Sequence, residues 1–229
     1  MQGFILVMGV DGGTGSGLGQ RILERISAEF RGIPKLAFAV YADGGLRDTV
    51  PVPGPYNAIF ATAGFIDYAD ACVVLNNQWA YDLLRRRADL NRPEFTDLNR
   101  VLAQVIAEVT SPLCTGSGAQ MADVLGGLAV SGEAKFITHD QGVDVDTVPD
   151  STWHLRLRSG KVMASVQDSM SMVGKHFSSS LNDFNKLYKR KSYVHWYTQE
   201  GMSESDFTMA RDKVLKLGKH YPIKVENLA

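Results

Sequence analysis

The hydrophobic positions of the chain fall into two patterns, continuous apolar runs and stripes with helical spacing. Continuous runs occupy residues 4–10, 36–42 and 71–75, and such runs are typical of buried strands. A helical stripe follows each of the first two runs, and a helix over residues 78–87 follows the third. The stripes consist of Leu18, Ile22, Ile26 and Phe30, and of Tyr56, Ile59, Phe60 and Ala63. This alternation predicts an α/β fold with a mostly parallel sheet.

Glycine and proline mark the breaks between these elements. The first run stops at a glycine-rich turn over residues 11–17. The second run is followed by a predicted long loop, because glycine and proline interrupt regular structure. The loop residues of these two types are Gly44, Gly45, Pro51, Pro53, Gly54 and Pro55.

The most regular helical stripe begins at Phe95 and predicts a central, largely buried helix. Its apolar positions are Leu98, Val101, Leu102, Val105, Ile106 and Val109. The pattern weakens between residues 116 and 160, where 134–138 and 153–158 are predicted strands. The acidic stretch 140–150 between them is predicted to be an exposed loop.

Two further helices are predicted in the last third of the chain. The first carries apolar residues at helical spacing from Val166 to Tyr188. The second begins near Ser203, because Ser203 and Asp206 stand at the spacing of an N-cap and the third helical position.

Composition and charge exclude several classes of protein. The 229 residues are 45% hydrophobic, which is enough to bury a core and excludes a disordered tail. Lys and Arg total 24 against 25 Asp and Glu, so the net charge of −1 argues against a nucleic acid partner. No segment is apolar and long enough to predict a membrane span. Cys72 and Cys114 fit no disulfide framework or metal spacing, which indicates a reducing compartment.

The glycine-rich turn is the main candidate for chemistry. Between a strand and a helix, such a turn lets backbone N–H groups approach a phosphate, and Thr14 and Ser16 add hydroxyl donors. It lacks the lysine of a P-loop and the glycine spacing of a dinucleotide fold. The alternative, to which we give equal weight, is that the turn only connects the strand to the helix and binds no ligand.

Five segments, taken in order, resemble the tubulin family. The last one resembles the C-terminal helical hairpin of tubulins, which favours tubulin over its bacterial cell-division relative. The segments are Gly12-Gly-Thr-Gly-Ser-Gly17, Gly54-Pro-Tyr-Asn57, Asn77-Gln-Trp-Ala-Tyr-Asp82, the stretch 92–100 (RPEFTDLNR), and the stretch 191–202 (KSYVHWYTQEGM).

The resemblance implies a domain organisation. Residues 1–115 would form a partial tubulin-type nucleotide-binding sheet with flanking helices and the central helix. Residues 116–163 would form a reduced intermediate domain, and residues 164–229 the C-terminal helices. We therefore expect an α/β fold with a reduced second domain and a C-terminal helical hairpin.

The resemblance also implies a residual site for a guanine nucleotide, GTP or GDP. Asn77 would hold the sugar and base, and Phe95 and Asn99 would grip the guanine. The glycine loop would cradle the phosphates through Gly12, Gly13, Thr14, Gly15, Ser16 and Gly17. In the alternative, Phe95 is a core residue, the two asparagines satisfy backbone groups, and no cofactor is bound.

Several residues depart from the tubulin pattern. Asp11 replaces the first glycine of the loop, and its carboxylate would repel bound phosphates unless a cation intervened. Gly54 replaces an acidic residue near the sugar. Gly118 and Asp123 are kept in a loop that completes the neighbouring subunit's site, but Met121 replaces its asparagine. Residues 124–128 contain neither the glutamate of α-type nor the lysine of β-type subunits, so we expect no base for hydrolysis, no catalytic residue and no metal ligand.

The chain corresponds to tubulin from its fourth strand onward, so we expect the segments for the α- and β-phosphates and magnesium to be absent. The leading hypothesis is a non-catalytic subunit of a larger assembly, with other subunits covering the exposed sheet edge near residues 1–10. The alternatives are a split GTPase that binds GTP with a partner chain in a microtubule-like polymer, and a fragment of an ordinary divergent tubulin.

A basic last helix with Lys213, Lys216, Lys219 and Lys224 disfavours motor docking. The resemblance implies a cytoplasmic or cytoskeletal location, with an organellar complex as an alternative.

Overall fold

A computed structural model gives the architecture of the chain. It describes residues 1–42, 52–87, 92–114, 118–128, 134–138, 143–147, 153–157 and 166–225. The loop predicted over 43–51 lies outside these residues.

Four parallel strands form the main sheet in the described part of the chain. They are β1 (Phe4–Gly9), β2 (Lys35–Tyr41), β3 (Ala71–Asn76) and β4 (Phe136–Thr138), in the order β1-β2-β3-β4. Phe4 pairs with Lys35, Leu36 with Ala71, and Cys72 with Phe136. The predicted α/β fold with a parallel sheet is confirmed. Residues 134–138, predicted as a strand, contribute β4.

Helices cover both faces of the sheet. A π-helical turn (Thr14–Leu18) continues into α1 (Gly19–Glu29). The remaining helices are α2 (Gly54–Tyr68), α3 (Asn77–Arg87), α4 (Phe95–Cys114), α5 (Met121–Gly127), α6 (Val166–Lys189), α7 (Val194–Gln199) and α8 (Glu204–Lys216), followed by a 3₁₀ turn (Leu217–Lys219). No helix among the described residues is both long and apolar enough to cross a membrane.

The two central strands are buried on both faces, which explains their continuous apolar sequences. Ala37, Ala39 and Tyr41 of β2 face a core formed with α2, α6 and α8. Leu36 and Phe38 face a second core formed with α3, α4 and α5. The buried stripe predicted for the central helix is confirmed in α4, where Leu98, Val101, Leu102, Val105 and Val109 are buried.

Strand β1 differs from its neighbours because one of its faces is open. Leu6 and Met8 pack against the α2 side, whereas Ile5 and Val7 are 42% and 55% exposed. β1 lies at the end of the strand order, so its outer edge pairs with no other described strand. The apolar run predicted a buried strand, and for this face of β1 the prediction is wrong.

Helix α2 begins earlier than the sequence indicates. Gly54 and Pro55 were expected in the preceding loop, but both lie in the first turn of α2. Proline suits this position, because its fixed φ angle matches the helix and the first N–H groups have no intrahelical acceptor. At the other end, the Lys135 Nζ donates to the carbonyl oxygens of Ile66 and Ala69, at 3.1 and 2.9 Å.

The acidic stretch was predicted to be a loop, and for residues 143–147 this is wrong. They form β5 (Val143–Thr147), which pairs antiparallel with β6 (Trp153–Leu157) in a separate two-stranded sheet. Val143, Val145 and Thr147 alternate with aspartates, and this period of two is a strand signal that the acidic composition obscured. Residues 140–142 and 148–150 lie outside the described part.

Helices α6, α7 and α8 form a unit that we call the C-terminal hairpin. The predicted start of its last helix is confirmed, because the Ser203 N–H donates to the Asp206 carboxylate at 2.7 Å in a capping box. After α8, the Tyr221 hydroxyl donates to the Phe136 carbonyl and accepts from the Phe136 N–H, both at 2.8 Å. The end of the described chain is thereby attached to β4.

Burial of tyrosine hydroxyls predicts a steep loss of stability in alkali. Burial raises the pKa of Tyr56, Tyr197 and Tyr221 to about 12, and it raises the pKa of Tyr41 well above its ordinary value. Unfolded tyrosine ionises near pH 10, so between about pH 10 and 12 the unfolded state binds fewer protons than the native state. We expect the contribution of these tyrosines to the unfolding free energy to be complete below pH 10. It should be lost progressively between about pH 10 and 12.

Spectroscopic titration of tyrosinate in the native protein checks this expectation. At least four of the eight tyrosines should ionise only above pH 11 or together with unfolding. A single step near pH 10 for all eight in the folded protein would contradict the burial described above.

Candidate functional site

Two of the predicted site segments, the glycine loop and Asn77, lie where parallel strands end. The carboxyl ends of parallel strands meet at one edge of a sheet, and ligands of α/β proteins bind there. The glycine loop follows β1, and Asn77 follows β3. Phe95 begins α4, which packs against α3.

The glycine loop turns into a helix without an intervening extended segment. Gly13 already has helical dihedral angles (φ −62°, ψ −36°), and the π-helical turn begins at Thr14. The first N–H groups of a helix have no intrahelical acceptor and attract anions. The loop therefore has the backbone arrangement of an anion site, although no side chain caps it.

The loop residues divide into two groups. A Cβ on Gly15 would overlap the carbonyl oxygen of Gly9, and the buried Ser16 hydroxyl donates to the Gly12 carbonyl at 2.7 Å. These two positions serve the packing of the loop on β1. Gly12, Gly13 and Gly17 have open space where a Cβ would stand, and Thr14 is exposed.

The aspartate that replaces the first loop glycine has a structural partner. The Asp11 carboxylate accepts a hydrogen bond from the Ala42 N–H at 2.7 Å, just beyond β2. Its carbonyl oxygen accepts one from the Asn57 amide at 2.9 Å. Since a backbone donor stabilises the ionised carboxylate, Asp11 ties the loop to the neighbouring strand.

The two asparagines after β3 have different roles. The Asn76 side-chain oxygen accepts from the N–H groups of Gln78 and Trp79, at 2.7 and 3.2 Å, and so caps α3. Asn77 was the predicted ligand-binding residue, and its side-chain oxygen is buried without a hydrogen-bond donor among the described residues. Sequence reasoning missed the cap at Asn76, although an asparagine before a helix is a common signal for it.

Phe95 and Asn99 lie on the surface of α4 at its start. Phe95 is 56% exposed and Asn99 is exposed, so the alternative that Phe95 is a core residue is wrong. The two are four positions apart and therefore share a helix face. At the start of α4, the Glu94 N–H donates to the Asp97 carboxylate at 3.0 Å, and this bond stabilises the first turn of the helix.

The segment that we expected to correspond to a loop completing a neighbouring subunit's site contains the helix α5. Met121 is buried, and a Cβ on Gly3 would collide with its side chain. The Asp123 carboxylate accepts from the Gln120 N–H at 2.7 Å in a capping box that starts α5. Both side chains thus have structural partners in this chain.

Residues 1–85 match the family model of the Tubulin/FtsZ family, GTPase domain. This part of the chain is similar to that domain. The match runs from β1 through the glycine loop to α3, so the resemblance to the tubulin family is confirmed there. Phe95, Asn99 and the C-terminal hairpin lie outside the matched residues. Within the described residues, no group of three His, Cys, Asp or Glu side chains is placed to hold a metal ion.

Alanine should affect stability differently at Gly15, which packs on β1, and at Gly17, which faces open space. Gly15→Ala should destabilise the protein by about 1–3 kcal/mol, because the new Cβ meets a strand carbonyl that has little room to move. Gly17→Ala should be neutral or stabilising by up to about 1 kcal/mol, because alanine favours a helix and the site is open. Urea unfolding of both variants measures the difference, and equal effects would contradict the described loop.

Proposed function

We propose that this chain is a non-catalytic, tubulin-like structural subunit of a larger protein assembly, with a degenerate GTP site. The single observation that carries the proposal is the open side of β1. Its outer edge pairs with no described strand, and Ile5 and Val7 are exposed on its open face. An exposed strand edge beside apolar side chains is ordinarily covered by a partner.

Exposed apolar side chains also occur on α1, which packs on the α2 side of β1. Leu18 and Ile22 are 58% and 46% exposed, although their spacing gives α1 an apolar stripe. The Phe30 ring, at the end of α1, lies 5.1 Å from the Phe4 ring on β1. A protein partner that wraps around the edge of β1 would therefore meet apolar side chains on both faces of the sheet.

The absence of catalysis is proposed from the residues of the α5 segment. Its sequence after Asp123 is Val-Leu-Gly-Gly-Leu, which offers no carboxylate or amine to activate water. The buried Met121 and the capping role of Asp123 support a structural use of this segment. For the location we propose a cytoplasmic or cytoskeletal assembly, because residues 1–85 match a tubulin-family model, with an organellar complex as the alternative.

Substitution of Val7 by lysine tests the assembly proposal. Val7→Lys should reduce the amount of partner that co-purifies with the full chain by about tenfold or more, because a charge would be buried in an apolar contact. Val52→Lys is the matched control, since Val52 has the same side chain and 57% exposure. Co-purification from the source cells with quantitative mass spectrometry gives the ratio.

Two results would overturn the proposal. One is equal partner recovery for wild type, Val7→Lys and Val52→Lys. The other is a purified wild-type chain that stays a soluble monomer and unfolds in one cooperative transition without any partner.

A second candidate is a split or divergent tubulin GTPase that binds GTP with a partner chain and enters a microtubule-like polymer. Three features favour it. The Asn77 side-chain oxygen is buried without a donor, Phe95 offers an exposed ring for stacking on a purine, and the loop around Gly12 is open. Asn77, Phe95 and Asn99 would then hold the base and sugar.

The nucleotide content of the native complex separates the two candidates. For the GTPase we expect guanine nucleotide in the purified wild-type complex, and Phe95→Ala should lower its amount by about threefold to tenfold. Phe30→Ala is the control, because that ring contacts Phe4 at the opposite end of β1. Chromatographic analysis of the released nucleotide measures the amount, and a complex without guanine nucleotide would exclude this candidate.

A further inference from the structure

A chain of hydrogen bonds joins the glycine loop to the C-terminal hairpin through one side chain of α2. The Asn57 amide nitrogen donates to the Asp11 carbonyl oxygen at 2.9 Å. The oxygen of the same amide accepts from the Tyr197 hydroxyl at 2.7 Å. Asn57 is 8% exposed, and its two partners, Asp11 and Tyr197, lie 46 and 140 residues away from it in the sequence.

At the hairpin end of these hydrogen bonds, Tyr197 is held in place by aromatic packing. The Tyr197 ring packs 5.8 Å from the Phe60 and Tyr56 rings and 5.4 Å from the Phe207 ring. The neighbouring Tyr56 hydroxyl donates to the Ser192 carbonyl at 3.0 Å, just before α7. Helix α7 is therefore fixed on α2 by packing and by two tyrosine hydroxyls.

Two hydrogen bonds tether the start of the loop, in addition to the packing of its helical turn on β1 and α2. One is the bond from Asn57 to the Asp11 carbonyl, and the other is the bond from the Ala42 N–H to the Asp11 carboxylate. Both act on Asp11, the residue that precedes the glycines. Loss of either bond would leave a partly buried polar group without that partner and weaken the hold on the start of the loop.

We propose that Asn57 makes the order of the glycine loop depend on the C-terminal hairpin. With Tyr197 in place, the Asn57 amide is oriented with its nitrogen toward Asp11, and the loop is held closed without any ligand. A partner that stabilises α7 would stabilise the loop, and by linkage a ligand on the loop would stabilise α7. This dependence exists whether or not the loop binds a nucleotide.

Tyr197→Phe removes the hydroxyl and keeps the ring, so the fold is preserved. In hydrogen–deuterium exchange of the full chain, peptides over residues 10–17 should exchange about threefold to tenfold faster, relative to peptides from β3. Tyr193→Phe is the matched control on the same hairpin, and it should leave exchange in the loop unchanged.

Asn57→Asp tests the two hydrogen bonds of Asn57 separately. It keeps an oxygen for the Tyr197 hydroxyl but loses the donor to the Asp11 carbonyl. The loop should exchange faster by a similar factor, whereas peptides over 194–199 keep their protection. The proposal is overturned if either variant leaves the loop at the wild-type rate relative to β3. It is also overturned if Tyr193→Phe accelerates the loop as much as Tyr197→Phe does.

Discussion

Helix α2 packs against β2, the turn after β1, α1, α6 and α8, and its burial among these elements is the constraint on which the rest of the structure depends. Most of its side chains are apolar and are spread around the circumference, which is the composition of a helix inside a core. Small residues at Ala61 and Gly64 let α1 approach, so that Gln20 reaches the Ala61 carbonyl at 2.9 Å. On the opposite side, Tyr56 contacts the rings of Phe184 and Phe207. The matched GTPase-domain segment and the C-terminal hairpin therefore share one core.

This shared core explains the contrast between β1 and its neighbours. Strands β2 and β3 have helices on both faces, so their sequences are apolar except for Lys35 at the start of β2 and Asn76 at the end of β3. β1 receives packing from the α2 side alone, yet Ile5 and Val7 on its other face are as apolar as the buried residues of β2. Apolar side chains on an exposed face at a sheet edge invite association. That mismatch between sequence and environment, more than any single residue, favours an assembly partner.

Much of the fold could be predicted from periodicity, because the sequences of β2, β3 and α4 reflect local burial directly. The Ser203–Asp206 capping box was equally visible, since both of its partners lie within one turn. Periodicity failed where burial depends on distant elements. The stripe from Leu18 to Phe30 predicted a helix correctly, but Leu23 is the side chain of α1 that is fully buried. No local pattern indicates that Asn57 meets Tyr197, since that contact requires α2 and α7 to be assembled first.

The glycine loop shows why a site cannot be inferred from a motif as a whole. Gly15 is required by the strand that precedes it, and the Ser16 hydroxyl is used within the turn. Those two residues would be needed in any protein with this strand-to-helix connection, with or without a ligand. Gly12, Gly13 and Gly17 meet no such packing requirement, and helix propensity alone would favour alanine at Gly17. A role in binding therefore depends on the open glycines, whereas the close approach of Gly15 to β1 explains only why the turn keeps its shape.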